Sequence, residues 1–233
     1  MNLWFPQPWA ILDNYGELIK NGGILSALFN SLVITISAVT LLIFVSAMAA
    51  FVIQRRSGDR LVKAANGFVM AGMFLPASMI TTYFLVQNLH LNTSFIGIIL
   101  VYVSMFFPLS VFLYVGYFKS IPRGIDESAF LDGCGTVKLF FLIAFPLVKP
   151  VTVTILIVNF MSIWNDFGVS IYFLNSPKKY TMTLTTFNYF GAHASDWNMV
   201  FADIVLISLP VLILYFTLQK HIVAGMTAGA IKA

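Results

Sequence analysis

Charge is scarce in this sequence. Only 9% of its 233 residues are Asp, Glu, Lys or Arg, where a soluble domain carries about 25%. With 59% hydrophobic residues, there is too little polar surface to cover a water-exposed globule. Cysteine is nearly absent: Cys134 stands alone, so no intrachain disulfide can form and the redox compartment is unconstrained. His90, His193 and His221 are scattered, and no Cys/His cluster has metal-ligand spacing, so no metal site is expected. No G-x-x-x-x-G-K-[ST] loop is present, which excludes the usual phosphate-loop route to ATP hydrolysis. The net charge of +4 comes with no basic stripe or nucleic-acid motif, so nucleic acid is not an expected partner. No clustered nucleophile, base or metal set points to an enzyme.

What is there comes in blocks. A helix needs about 20 residues to cross about 30 Å of hydrocarbon. Five stretches are long enough: 25–53, 67–86, 95–117, 148–165 and 200–218. The third runs from Phe95 to Tyr117 without one charge. The first is rich in Val, Ile and Thr, yet too long and too weakly alternating for a barrel strand. The expectation is an all-α, polytopic transmembrane bundle of five spans. Pro76, Pro108 and Pro210 sit inside three of them and predict kinks, which membrane helices tolerate.

Lysine and arginine give the direction. Arg55, Arg56, Arg60 and Lys63 follow the first span. Lys119, Arg123 and Lys138 lie between the third and fourth, with Lys149 at the far edge of that loop, and Lys220 and Lys232 follow the fifth. Five spans put these ten of the 13 basic residues on one side, which the positive-inside rule makes cytoplasmic. Residues 1–24 are then an extracytoplasmic segment, 25–218 the membrane domain with a cytoplasmic loop at 119–147, and 219–233 a cytoplasmic tail. The first 30 residues show no basic n-region and no continuous apolar run of a signal peptide, so an outside N-terminus implies either an unaided crossing or an earlier span.

The cytoplasmic loop is the most informative part. Pro122 suits a first helical position, Asp126 and Glu127 suit the positive end of a helix dipole, and Gly133 suits a left-handed stop. A helix of about three turns is expected over Pro122–Asp132, with Ile125, Ala129 and Asp132 on one stripe. Small Ser128 and Ala129 would let a partner surface come close. Two readings are open: a helix lying on the membrane surface, or a docking helix that enters a groove of a cytoplasmic protein.

Glu127-Ser128-Ala129, three residues, Gly133, nine residues and then Ile143-Ala144-Phe145-Pro146 resembles the "EAA loop" of bacterial ATP-binding-cassette importer permeases. The spacing matches throughout, with Ser128 in place of an alanine and Phe145 in place of a leucine. Trp164-Asn165-Asp166-Phe167, Leu174-Asn175-Ser176-Pro177, Lys179-Tyr180-Thr181, Asp196-Trp197 and the tail from Gln219 to Lys232 are similar to the carbohydrate branch, of the maltose-type second membrane subunit. The resemblance runs from about Asn30 to the C-terminus. Relatives have six spans, one of them before the segment found here as Asn14-Tyr15, so the chain resembles one that begins just after that first span; a truncated gene model or a fragment is the preferred account, over a natural five-span permease.

The resemblance implies a type I importer permease that carries a sugar across the bacterial cytoplasmic membrane. It implies a heterodimer with a second permease, two ATP-binding subunits that hold ATP and Mg, and an extracytoplasmic solute-binding protein; no cofactor is expected on this chain. Glu127 would anchor the docking helix, Ala129 would allow close approach and Gly133 would end it. Ile125, Ser128 and Asp132 complete the docking set, and the tail from Gly225 would touch the ATPase. Polar groups within spans often mark a pathway, although most only hold a bundle together. Asn30, Asn159, Ser162 and Asn165 are the candidates. Asp166 and Asp203 are expected near interfacial water, and Trp4, Trp9, Trp164 and Trp197 in an outer aromatic belt. Importers of another solute, such as a glycerol-phosphate compound or a metal chelate, are alternatives. So is a stand-alone ion-coupled carrier, although the spans hold few of the ionisable residues it would need.

Overall fold

A backbone in hydrocarbon must satisfy its own hydrogen bonds, and the apolar runs are helical in a computed structural model of the chain. The structure describes residues 11–21, 23–74, 78–186 and 197–230, with side chains over 13–20, 23–74, 78–186 and 197–217. The helices in chain order are α1 (Ile11–Asn21), α2 (Ile24–Arg55), α3 (Arg60–Ala71), α4 (Met79–Asn88), α5 (Phe95–Lys119), α6 (Gly124–Leu131), α7 (Thr136–Leu147), α8 (Lys149–Trp164), α9 (Gly168–Phe173), α10 (Met182–Thr185) and α11 (Trp197–Ala230). Among the described residues there is no strand.

Three helices, α2, α5 and α11, are long and apolar enough to cross a membrane, and they contain the first, third and fifth expected spans. The fourth is part of a broken pair: α7 meets α8 at a bend of 75°. Pro146 and Pro150 flank the bend, where missing N–H groups interrupt the helical ladder. A π turn occupies Leu139–Ala144 within α7. The second expected span is not one helix. Instead α3 ends at Ala71, and α4 begins at Met79 behind Ser78, whose hydroxyl caps its first turn. Pro76 falls between them and lies outside the described residues, as do Trp4 and Trp9. The last helix continues to Ala230, past the expected boundary at residue 218.

α2 is the central post. Its 32 residues span about 48 Å at about 1.5 Å each, and it packs against α5 and α8. Its buried face carries Ala27, Ala38, Ala47 and Ala50 among Ile34 and Leu42; small side chains let membrane helices approach closely, where dispersion rather than water exclusion drives association. α8 packs in turn on α11. The amphipathic α1 tucks Leu18 against Met199 and Ala202 at the start of α11. Gly97 permits another close approach: a Cβ there would stand 2.2 Å from the carbonyl oxygen of Leu91.

Both α2 and α5 run toward the same end of the bundle, where Arg55 reaches Asp126 of α6. At the opposite end Asn30 of α2 meets the loop at Lys178 and Tyr180. The basic clusters at 55–63 and 119–138 therefore share one end, and Lys178 and Lys179 sit at the other.

Candidate functional site

The loop after α5 folds as a short helix with a closed C-terminus. α6 begins at Gly124, two residues later than expected. Pro122 precedes it and supplies a carbonyl that accepts from Ile125 N at 3.3 Å, while Arg123 O accepts from Asp126 N at 2.9 Å. The helix ends in a Schellman motif. Gly133 has φ +78°, its N–H donates to Phe130 O, and Cys134 N–H donates to Ala129 O at 2.9 Å. Glycine adopts this left-handed conformation without the Cβ penalty.

One face of α6 is turned inward. Asp126 and Ala129 are buried, 8% and 5% exposed, and Ile125 is half-buried. Ala129 therefore packs within the chain's own core, where the sequence placed it against a partner. Glu127, Ser128, Phe130, Leu131 and Asp132 are exposed, Leu131 by 89%. The Ser128 hydroxyl donates to Gly124 O at 2.8 Å, within its own helix. The outward face thus offers a carboxylate beside two large apolar side chains, the make-up of a helix that seats in a groove.

Arg55, at the last turn of α2, holds this helix from inside. Its Nη2 donates to Asp126 Oδ1 at 3.0 Å, its Nε lies in ion-pair contact with Oδ2, and its Nη1 reaches Ile121 O at 3.4 Å. Arg123 Nη2 adds a bond of 3.3 Å to Ser57 Oγ. Sequence reasoning missed the role of Asp126. The available signal was its position three residues before Ala129, on the same helical face, with a basic cluster following the first span.

At the other end the path candidates separate. Asn30 is buried, and its Nδ2 donates to Lys178 O and Tyr180 O, both at 3.0 Å. Asn159 is buried and donates to Ile155 O, one turn back in α8. Ser162 and Asn165 are exposed, bonded to Val158 O and Met161 O of their own helix. α8 therefore presents Ser162 and Asn165 together on an open face and turns Asn159 inward.

One acid, Asp203, and one tryptophan, Trp164, differ from expectation, while Asp166 stays half-buried just past the end of α8. Asp203 is 0% exposed and accepts from the hydroxyls of Thr185 and Thr186, the latter at 2.8 Å. It joins α11 to α10 rather than reaching interfacial water. Asp166 accepts from Tyr102 Oη at 2.9 Å and from Val169 N–H at 2.8 Å, which caps α9. Trp164 is 1% exposed, stacks on Phe160, and donates Nε1–H to Ile207 O at 3.0 Å. It pins α8 to α11 and is no belt residue, whereas Trp197 is exposed.

A cavity of about 600 Å³ opens between α3, α4 and α5, lined by residues such as Val69, Leu85, Leu100, Val101 and Phe107. It contains none of the path candidates. Among the described residues, no three His, Cys, Asp or Glu side chains converge to hold a metal.

A membrane bundle with a broken span, a capped loop helix at its basic end and no strand among the described residues fits a polytopic permease of the type I importer fold. A bacterial transporter involved in import of the acidic polysaccharide alginate shares that fold, with a TM-score of 0.79 and 23% identity over 89% of this chain and 78% of that one. The chain belongs to the family of binding-protein-dependent transport system inner membrane components, whose profile matches residues 16–228. It is 34% identical to the melibiose/raffinose/stachyose import permease MelC of Bacillus subtilis (strain 168), over 94% of this chain and 80% of that protein. It is also 34% identical to the multiple sugar-binding transport system permease MsmG of Streptococcus mutans, over 98% and 83%. A probable starch degradation products permease, AmyC of Thermoanaerobacterium thermosulfurigenes, is 31% identical over 95% and 81%. The chain is thus a multi-pass membrane transport component.

Proposed function

We propose that this chain forms one half of the membrane channel of an ATP-driven importer in a bacterial cytoplasmic membrane, and that its cargo is a short oligosaccharide. A second permease completes the channel, an extracytoplasmic protein delivers the sugar, and two ATPase subunits supply ATP and Mg. The relatives' names support the cargo class. The observation that carries the energy-input side is the outward face of α6, where Glu127 stands beside exposed Phe130 and Leu131 at the end that gathers the basic residues. ATPase closure would move the groove holding α6, and α6 would pass that motion to the spans as rigid-body rocking. On the channel side, Ser162 and Asn165 are polar groups left open at the end of α8.

The test is co-purification after mild detergent extraction, with the parent chain and a Glu127→Lys variant. The parent should bring down an ATP-binding subunit and a second permease, and the variant should lose the ATPase while keeping the permease. A parent chain that brings down no ATPase would sink the reading. Uptake of labelled melibiose, raffinose, stachyose and maltose by vesicles holding the complex then reads the cargo. Uptake of none of the four would remove the short-oligosaccharide assignment.

A further inference from the structure

We infer that the Arg55–Asp126 pair is a positioning device, which makes α2 move with the docking helix. This rests on the reading of α6 as the ATPase contact. The covalent chain ties α6 only to α5 before it and to α7 and α8 after it. α2 lies 71 residues away in sequence from Asp126, yet it is the post against which α5 and α8 pack. Through α5 and α8 a stroke at α6 reaches that post only along their packed lengths, whereas a contact at the tip of α2 couples the two directly.

Between α2 and α6 themselves the link is polar rather than packed. Where α2 faces α6 there is a cavity of about 330 Å³, with Phe51, Val52 and Arg55 on one side and Asp126 and Phe130 on the other, while Leu139 of α7 closes its edge. Dispersion between closely fitted side chains cannot carry force across a void. Across it, Arg55 places Nη2 on Asp126 Oδ1 at 3.0 Å and Nε beside Oδ2. Both side chains are only 12% exposed, so water screens this pair less than a surface one. The same guanidinium holds Ile121 O at the end of α5 and lies over the Phe51 ring at 6.0 Å. Phe51 in turn meets Phe118 of α5 and Phe140 of α7. One arginine thus joins the ends of α2, α5 and α6. A planar fork suits that role, and lysine, with a single point charge, does not.

The experiment measures sugar carried per ATP hydrolysed by the intact complex in proteoliposomes, with labelled raffinose or whichever sugar of the panel the parent takes up. Asp126→Asn should retain the ATPase on purification and hydrolyse ATP within about twofold of the parent rate, while sugar per ATP falls at least fivefold. The reversed pair, Arg55→Asp with Asp126→Arg, should recover at least half of the lost ratio, which a merely structural contact at either site would not require. Unchanged sugar per ATP in Asp126→Asn, or no recovery in the reversed pair, overturns the inference while the docking reading stands. If the parent complex contains no ATPase, both fall together. Should Asp126→Asn fail to accumulate, Arg55→Lys keeps the charge and loses the fork: a ratio reduced at least twofold supports the link, and a parental ratio overturns it.

Discussion

The two ends of the bundle spend their polar groups in opposite ways. At the end away from the basic clusters several polar side chains are turned inward and satisfied, Ser162 and Asn165 excepted: Asn30 on two loop carbonyls, Ser31 Oγ on Met182 N–H, Asp166 on α9, and Asp203 on Thr185 and Thr186. At the basic end α6 leaves Glu127, Phe130 and Leu131 outside and keeps a single ion pair within. A buried, fully bonded polar group stabilises its own fold, and an exposed face beside a rigid cap is free to meet another molecule. The contrast teaches that substitutions of the buried polar groups at the far end should act on stability, and basic-end substitutions on partnership.

The largest effect belongs to Asn30. Replacing it with Leu strips the donor from Lys178 O and Tyr180 O at once, and each unpaired acceptor costs about 1–3 kcal/mol. We expect a loss of about 3 kcal/mol, read as a lower unfolding midpoint in detergent, with the ATPase still co-purifying from surviving protein. A parental midpoint would mean that the loop at 178–180 is not held by α2. Asp203→Leu comes next. It removes the acceptor of Thr186, while Thr185 keeps Met182 O, so about 1–2 kcal/mol should be lost. Asp203→Asn, which keeps an acceptor oxygen, should lose less by the same measurement.

Gly133→Ala probes the basic end. Nothing lies within 4 Å of a Cβ placed there, so the cost is the left-handed backbone alone, about 1 kcal/mol. The unfolding midpoint should move little, because the strain falls on the residue after the last turn of α6 and leaves Asp126 and Ala129 in place. Retention of the ATPase should fall, since the last turn of α6 and its Schellman bonds set the direction of Leu131. Gly133→Asn should be milder, because Asn enters this region more readily. A large fall in midpoint with full ATPase retention would reverse the comparison between the two ends.

Much of this was legible in the residues. Spans without charge, such as Phe95–Tyr117, can only be helices in lipid, and Gly133 announced the end of α6. Three things were not. The stretch 67–86 is apolar enough to read as one span, and hydropathy does not register that the helix stops at Ala71 and restarts behind Ser78. Polar residues inside spans read alike, because a linear pattern cannot say which carbonyl lies opposite: Asn30 faces a loop about 150 residues away, while Asn165 faces outward. And the spacing of Ile125 and Ala129 gave a stripe without its direction, since a small residue suits close approach to its own chain as well as to a partner.

Ser128 is where the smallest effect is expected, and it tests what the outward face is made of. The related loop pattern has alanine at this position, and here the hydroxyl is turned back onto Gly124 O at 2.8 Å. Such a back-bond duplicates a helical acceptor and adds little, while alanine has the better helix propensity by a few tenths of a kcal/mol. Ser128→Ala should therefore leave the unfolding midpoint within about 0.5 kcal/mol of the parent and leave ATPase retention and uptake unchanged. If retention falls instead, the hydroxyl must leave Gly124 to bond the partner in the assembled importer. The docking face would then be read by its polar atoms, and Phe130 and Leu131 would serve to exclude water around them.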